Sequence, residues 1–207
     1  MRSIQMVDLK TQYEAIKNEI HEAIEEVLEN ATFINGPQVQ QFAKALSAYL
    51  QIPYVIPCAN GTEALQIALM ALNLQPGDEV ITPSFTYIAT TEVIALLKLK
   101  PVFVDVDEKT FCINPHEVEK VITAKTKAII PVHLYGMAAH MEPILEIAQQ
   151  HDLYVVEDNA QAIGCKYQFS NGTIQATGSM GIIGTTSFFP SKNLGAYGDG
   201  GALFTKD

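Results

Sequence analysis

The sequence predicts an α/β fold, a mostly parallel central sheet sandwiched by helices, and two observations carry that prediction. From Pro53 onward, short apolar runs alternate with helical patterns. The runs show no polar–apolar alternation, which suits strands covered on both faces and joined by right-handed helical crossovers. The chain has 207 residues, 48% hydrophobic and 17% charged. At about 150 residues per domain that is one large domain, able to bury roughly 70% of its unfolded surface.

Taken in order, residues 11–30 read as one amphipathic helix. Tyr13, Ile16, Ile20, Ala23, Ile24, Val27 and Leu28 recur at three- and four-residue steps. Asn35-Gly36-Pro37 breaks it, and a second helix carries Phe42, Leu46 and Tyr49 on one face. Strands are expected at 54–56, 79–81, 102–105, 128–132 and 153–156. Helices are expected at 63–72 and 88–97, after Pro115, and at 141–150. Gln75-Pro76-Gly77-Asp78 is a tight turn feeding the next strand. Beyond Gly164 the text is rich in Gly and Thr, with strand-like pieces near 185–188 and 201–204.

Composition excludes several classes of function. The net charge of -10 and the lack of a basic cluster argue against nucleic acid as a partner. Cys58, Cys112 and Cys165 are far apart and odd in number, so neither a disulfide framework nor a metal spacing is expected. The five histidines have no paired helical spacing for zinc. The opening residues lack the apolar core of a leader, and no run reaches membrane-spanning length. A cytoplasmic protein with no membrane association is expected.

Four corners carry chemistry, and in open α/β sheets such corners lie beyond the carboxyl ends of strands, where ligands bind. Asn60-Gly61-Thr62-Glu63 is a strand-to-helix turn whose free amides and Thr62 hydroxyl suit a phosphate; taken alone, a simple helix cap by Thr62 is the commoner explanation. Pro83-Ser84-Phe85-Thr86-Tyr87-Ile88 is another such turn, where an aromatic could lie on a planar ring, although Phe85 reads as core. Glu157-Asp158-Asn159-Ala160-Gln161 closes the most apolar strand. Neighbouring strand residues face opposite ways, so Glu157 and Asp158 cannot both enter one pocket; a cation or hydrogen-bond donors must meet a buried one, and a salt bridge or a helix cap would serve as well as a ligand. The last corner is Ser187-Phe188-Phe189-Pro190-Ser191-Lys192, followed by a glycine-rich run to Gly201. That setting suits a lysine held in a pocket, where desolvation frees its amine as a nucleophile, with the Ser187 hydroxyl close by; on composition alone an ordinary loop lysine is the commoner reading.

An anion cradle, a stacking aromatic, a carboxylate after a buried strand and a late lysine are together what pyridoxal 5'-phosphate (PLP) requires. On these motifs the chain resembles the DegT/StrS-type family of PLP-dependent sugar-nucleotide aminotransferases, of the fold type I class. The resemblance runs from Val7-Asp8-Leu9-Lys10 to Gly200-Gly201-Ala202. It implies that Lys192 forms the Schiff base and shuttles the proton, and that Asp158 partners the pyridinium nitrogen. It makes Gly61, Thr62 and Ser187 phosphate ligands, Tyr87 the stacking aromatic and Gln161 a contact at the ring edge. Tyr135 and Asn193 are candidates on the substrate side. It further implies an N-terminal helical arm over residues 1–35, a large cofactor-binding α/β domain over 36–207, and a homodimer. Family members continue into a smaller C-terminal domain that this chain lacks. The implied reaction moves an amino group from an amino-acid donor, glutamate by family habit, to a nucleotide-linked keto-sugar. A sugar dehydratase of the same family is the competing enzyme, but those typically carry histidine in place of the lysine. A truncated, non-catalytic PLP-binding or dimerisation fragment is the other alternative. A nicotinamide-binding domain is set aside, because no Gly-x-Gly-x-x-Gly follows the first strand.

Overall fold

A computed structural model describes residue 4 and residues 6–207. Residues 1–3 and 5 of the expected arm, and with them part of the stretch read as lacking a leader core, lie outside the described residues. Helix α1 (Leu9–Glu29) is capped by Asp8, whose carboxylate accepts from the Thr11 amide at 3.0 Å. Its expected apolar stripe forms, but no residue of it is fully buried, and Ile24 and Leu28 face solvent. Helix α2 (Pro37–Leu50) starts at a proline, whose missing N–H costs nothing there. It buries Leu46 and Leu50, and its Phe42 meets Phe188 edge-on at 5.2 Å.

The α/β alternation follows as β1 (Tyr54–Cys58), α3 (Gly61–Ala71), β2 (Glu79–Pro83), α4 (Ala89–Leu96), β3 (Lys100–Val104) and α5 (Pro115–Lys120). Then come β4 (Thr126–Ile129), α6 (Met141–Gln150), β5 (Tyr154–Asp158), β6 (Lys166–Gln168), β7 (Ile174–Ala176), β8 (Ile183–Ser187) and β9 (Gly201–Thr205). Among the described residues, seven strands form one sheet in the order β1-β9-β8-β5-β4-β2-β3, in which β9 alone runs against the rest. The fold is therefore the α/β arrangement the sequence predicts, a mostly parallel sheet with helices on both faces.

Side chains alternate across the sheet between two cores. Ile81, Ile129 and Val155 pack with Met141 and Ile144 of α6 and Val118 of α5. Their neighbours Val80, Ala128 and Val156 pack with Leu65 and Leu69 of α3 and Val93 and Ile94 of α4. A third cluster, under α2, holds Leu46, Leu50, Phe188 and Phe204.

Three details differ from the sequence reading. Strand β1 pairs antiparallel with β9 at the sheet edge, far from β2, with Ile56 opposite Leu203. Cover on both faces accordingly holds for the interior strands β2 and β8 and fails at the edges, where Tyr54, Ile56 and Phe103 are half-exposed. Strand β4 ends earlier than expected because Pro131 has no N–H for the ladder. The Pro131 carbonyl still accepts from the Asp158 amide at 3.0 Å, and Val132 bridges to Asp158. The β6–β7 hairpin was not legible, since strands of three residues are too short to show a period.

The last two residues of β5 point to opposite faces. Glu157 is wholly buried and meets the loop that leads into β8. Its carboxylate accepts from the amides of Gly178 (2.8 Å), Met180 (2.6 Å) and Gly181 (2.6 Å), and from His133 Nε2 (2.8 Å). His133 Nδ1 accepts from the Ala139 amide at 3.0 Å, so Nε2 carries the ring proton and the imidazole is neutral. Burial alone raises the Glu157 pKa, but the His133 and backbone hydrogen bonds outweigh it and hold it below its ordinary value. Gly178 adopts φ +84°, and a Cβ on Gly184 would collide with the Gly178 carbonyl, so both positions demand glycine.

Two outcomes follow. Because the folded-state pKa of Glu157 is depressed below 4.5, its stabilisation is complete above that value and is lost as pH falls through the folded pKa. Urea unfolding at pH 7 should therefore show Glu157→Gln destabilised by about 3–5 kcal/mol, the cost of breaking a buried polar cluster, with the gap to wild type narrowing at pH 3. A gap independent of pH would contradict this account. Gly184→Ala should lower stability by about 1–3 kcal/mol or more in calorimetry, through overpacking against a backbone that cannot yield.

Candidate active site

The carboxyl ends of β1, β2, β4, β5 and β8 surround one cavity of about 630 Å³. Gly61, Thr62, Tyr87, Asp158, Gln161, Ser187 and Lys192 all line it. Residues as far apart in sequence as Gly61 and Lys192 are thus brought to one place by strands that all end on the same side of the sheet.

At the first corner the helix cap is Asn60, not Thr62. Asn60 Oδ1 accepts from the Glu63 amide at 2.8 Å, and its carbonyl accepts from Ala64 at 3.0 Å. The Thr62 hydroxyl, no longer needed as a cap, stands at the cavity with the first-turn amides, which have no partner inside the helix. A Cβ on Gly61 would fall 2.6 Å from Ser187 Cβ, so glycine lets the start of α3 seat against the end of β8. Ser187 Oγ accepts from the Phe189 amide at 3.2 Å, which leaves its proton free to donate. Hydroxyls and helix-terminal amides from two distant segments meet here, an arrangement that suits an anion.

At the second corner Tyr87 lines the cavity and is 68% exposed. Phe85, expected in the core, is instead half-exposed against Phe111, with ring centroids 5.9 Å apart. At the third corner Asp158 faces the cavity and Glu157 the opposite side, which settles the choice that alternation left open. Asp158 is 5% exposed. Its Oδ2 accepts from Thr90 Oγ1 at 2.8 Å and its Oδ1 from the Ala160 amide at 3.1 Å. Among the described residues no cation lies within ion-pair distance of it. Gln161 Oε1 accepts from the Tyr135 amide at 2.9 Å, so its NH2 is the end left for the cavity.

At the fourth corner, Phe188 turns into the core under α2 while Phe189 lines the cavity. Phe188 exchanges hydrogen bonds with Gly200 and Ala196, both at 2.7 Å, and the Lys192 amide donates to Phe189 at 2.8 Å. These bonds fold the 188–200 loop back over the sheet end. Lys192 is half-buried, not fully dry as its sequence setting suggests, and its amine makes no ion pair among the described residues.

Tyr135 and Asn193 do not line the cavity. Tyr135 has φ 55°, a strained value for a bulky residue, and its ring is 72% exposed. It reaches the site through its backbone alone. Thr90 was missed by the sequence reading. Its one signal was helical spacing, a single turn beyond Tyr87 on the corner already singled out. Asp199 and Val132 also line the cavity and were not foreseen.

Known proteins resemble this chain along nearly its whole length. The model of the DegT/DnrJ/EryC1/StrS aminotransferase family matches residues 14–207. The chain is 51% identical over 205 residues to a Geobacillus stearothermophilus protein named "pleiotropic regulatory protein", covering 99% of this chain and 54% of that one. It is 48% identical over 204 residues to the UDP-2-acetamido-2-deoxy-3-oxo-D-glucuronate aminotransferase of Pseudomonas aeruginosa, covering 99% and 55%. Among solved structures, Streptomyces venezuelae DesV in complex with a ketimine intermediate superposes with a TM-score of 0.94 at 40% identity, covering all of this chain and 54% of that one. The chain thus spans about half the length of the curated relatives it matches. With the family model matched over nearly its whole length and the cavity built at the strand ends, this chain belongs to the DegT/DnrJ/EryC1/StrS aminotransferase family.

Proposed function

We propose that this chain is the cofactor-binding part of a PLP-dependent aminotransferase. In this reading it moves an amino group from an amino-acid donor, glutamate by family habit, to a nucleotide-linked keto-sugar. The observation that carries it is Asp158, a buried carboxylate beside a cavity with no cationic partner among the described residues. A carboxylate so placed calls for a cation, and a protonated pyridine ring nitrogen is one that a cavity of this size admits.

The other residues fit the same group. The α3 amides, Thr62 and Ser187 would take its phosphate, Tyr87 a face of its ring and the Gln161 NH2 its edge. The Lys192 amine would take its aldehyde carbon. When bound, PLP supplies an electron sink for carbanion chemistry. Lys192 would then act as the base that moves a proton between the substrate carbon and the cofactor carbon, while Asp158 keeps the ring nitrogen charged. The aminotransferase named above, which acts on a UDP-linked 3-oxo sugar, supports a substrate of that class. The exposed Phe33, Ile34, Ile88, Phe189 and Tyr197 support a homodimer, since large apolar side chains left in water favour association. Lysine at position 192 disfavours the dehydratase reading.

Purified protein mixed with PLP should develop a visible absorption band. Borohydride should fix the cofactor to the peptide containing Lys192, and Lys192→Ala should abolish both signals. Glutamate added to the loaded protein should release 2-oxoglutarate, read by coupled assay or mass spectrometry. A Lys192→Ala protein that still retains PLP after borohydride would overturn the assignment.

A further inference from the structure

Asp158 is held by a residue that does not touch the cavity. Thr90 lies in the first turn of α4, is fully buried, and donates its hydroxyl proton to Asp158 Oδ2 at 2.8 Å across 68 residues of sequence. The Thr90 amide bonds the Tyr87 carbonyl at 3.3 Å, so the ring-bearing corner and the hydroxyl belong to one rigid turn. Thr86 Oγ1 lies 3.5 Å from Thr90 Oγ1. The second oxygen, Oδ1, is fixed by the Ala160 amide at 3.1 Å. Both oxygens of Asp158 are thus committed to neutral donors that prefer the charged carboxylate, and neither donor neutralises it.

We propose that Thr90 is a positioning residue, which fixes the orientation of the Asp158 carboxylate toward the ring nitrogen of the cofactor. The proposal rests on the PLP reading given above. A hydroxyl is suited to this task where a lysine or arginine is not. A cation at that place would satisfy Asp158 internally and remove its need for a charged ring. Thr90 is fully buried, and its β-branching limits the rotamers open to the hydroxyl.

The test uses the 207-residue chain loaded with PLP labelled with nitrogen-15 in its ring. The nitrogen chemical shift reports protonation, and equilibrium dialysis reports affinity. Thr90→Val keeps the shape and removes the donor. It should move the shift toward the neutral pyridine value and weaken PLP roughly 10- to 100-fold, the range for a hydrogen bond to a charged group. Thr90→Ser should keep the wild-type shift, with affinity within about 3-fold, because only the methyl is lost. Thr90→Ala serves the same purpose if the valine protein does not fold. A valine or alanine variant with the wild-type shift and affinity overturns the proposal, as does a serine variant that loses as much as valine. Asp158→Asn separates the two levels of the argument. If it too leaves the shift unchanged, or if the wild-type chain does not take up PLP, the cofactor reading itself fails. If it changes the shift while Thr90→Val does not, only the role of Thr90 is wrong.

Discussion

The arrangement depends on how one strand, β5, disposes of two adjacent acids. Glu157 has no contact with water and is held by three backbone amides and a neutral imidazole. A lone carboxylate in such a place would be strongly disfavoured; four donors make it the fixed point around which the 177–181 loop folds. That loop delivers β8, and β8 ends at Ser187. His133 belongs to the segment that follows β4 and carries the Tyr135 turn. One buried acid therefore ties together three of the segments that border the cavity, from the side of the sheet facing away from it.

With Glu157 committed to structure, Asp158 is turned by strand geometry alone to the other face. The same sheet supports both residues, yet their environments differ in kind. Glu157 is surrounded by enough donors to be complete, whereas Asp158 has only a hydroxyl and one amide. The proposed role of Asp158 as partner of a cation rests on that incompleteness. A site that is fully satisfied has no reason to bind a cation, and one with no donors at all would protonate instead. The helix start at Gly61 follows a similar logic for negative charge: Asn60 takes the capping duty, and the remaining amides and hydroxyls are left for a ligand.

Much of the α/β core was legible in the sequence because its strands are apolar runs and its long helices have strong periodicity. The corners could be read for the same reason, since ligand sites in such sheets sit where a run ends and a helix begins. What the sequence withheld depends on contacts far along the chain. Which acid of the pair faces the cavity is a matter of register, set by β4 and β8 on either side. That β1 pairs with β9 could not be seen in the local pattern of either strand. Thr90 is an ordinary helix residue in sequence and becomes informative only when Asp158 arrives beside it. Lys192 reads as dry from its aromatic neighbours, but Phe188 turns inward to the α2 core and leaves the lysine half-covered.

The link between Gln161 and position 135 runs through a main-chain N–H, with the tyrosine ring itself left in the open. Every residue except proline carries that donor, and residues tolerant of a left-handed backbone, such as asparagine or glycine, would supply it with less strain. The orientation of the glutamine is thereby uncoupled from the identity of its neighbour's side chain. Evolution, or an engineer seeking to alter what the rim greets, has at position 135 a place to exchange chemistry without disturbing the floor beneath.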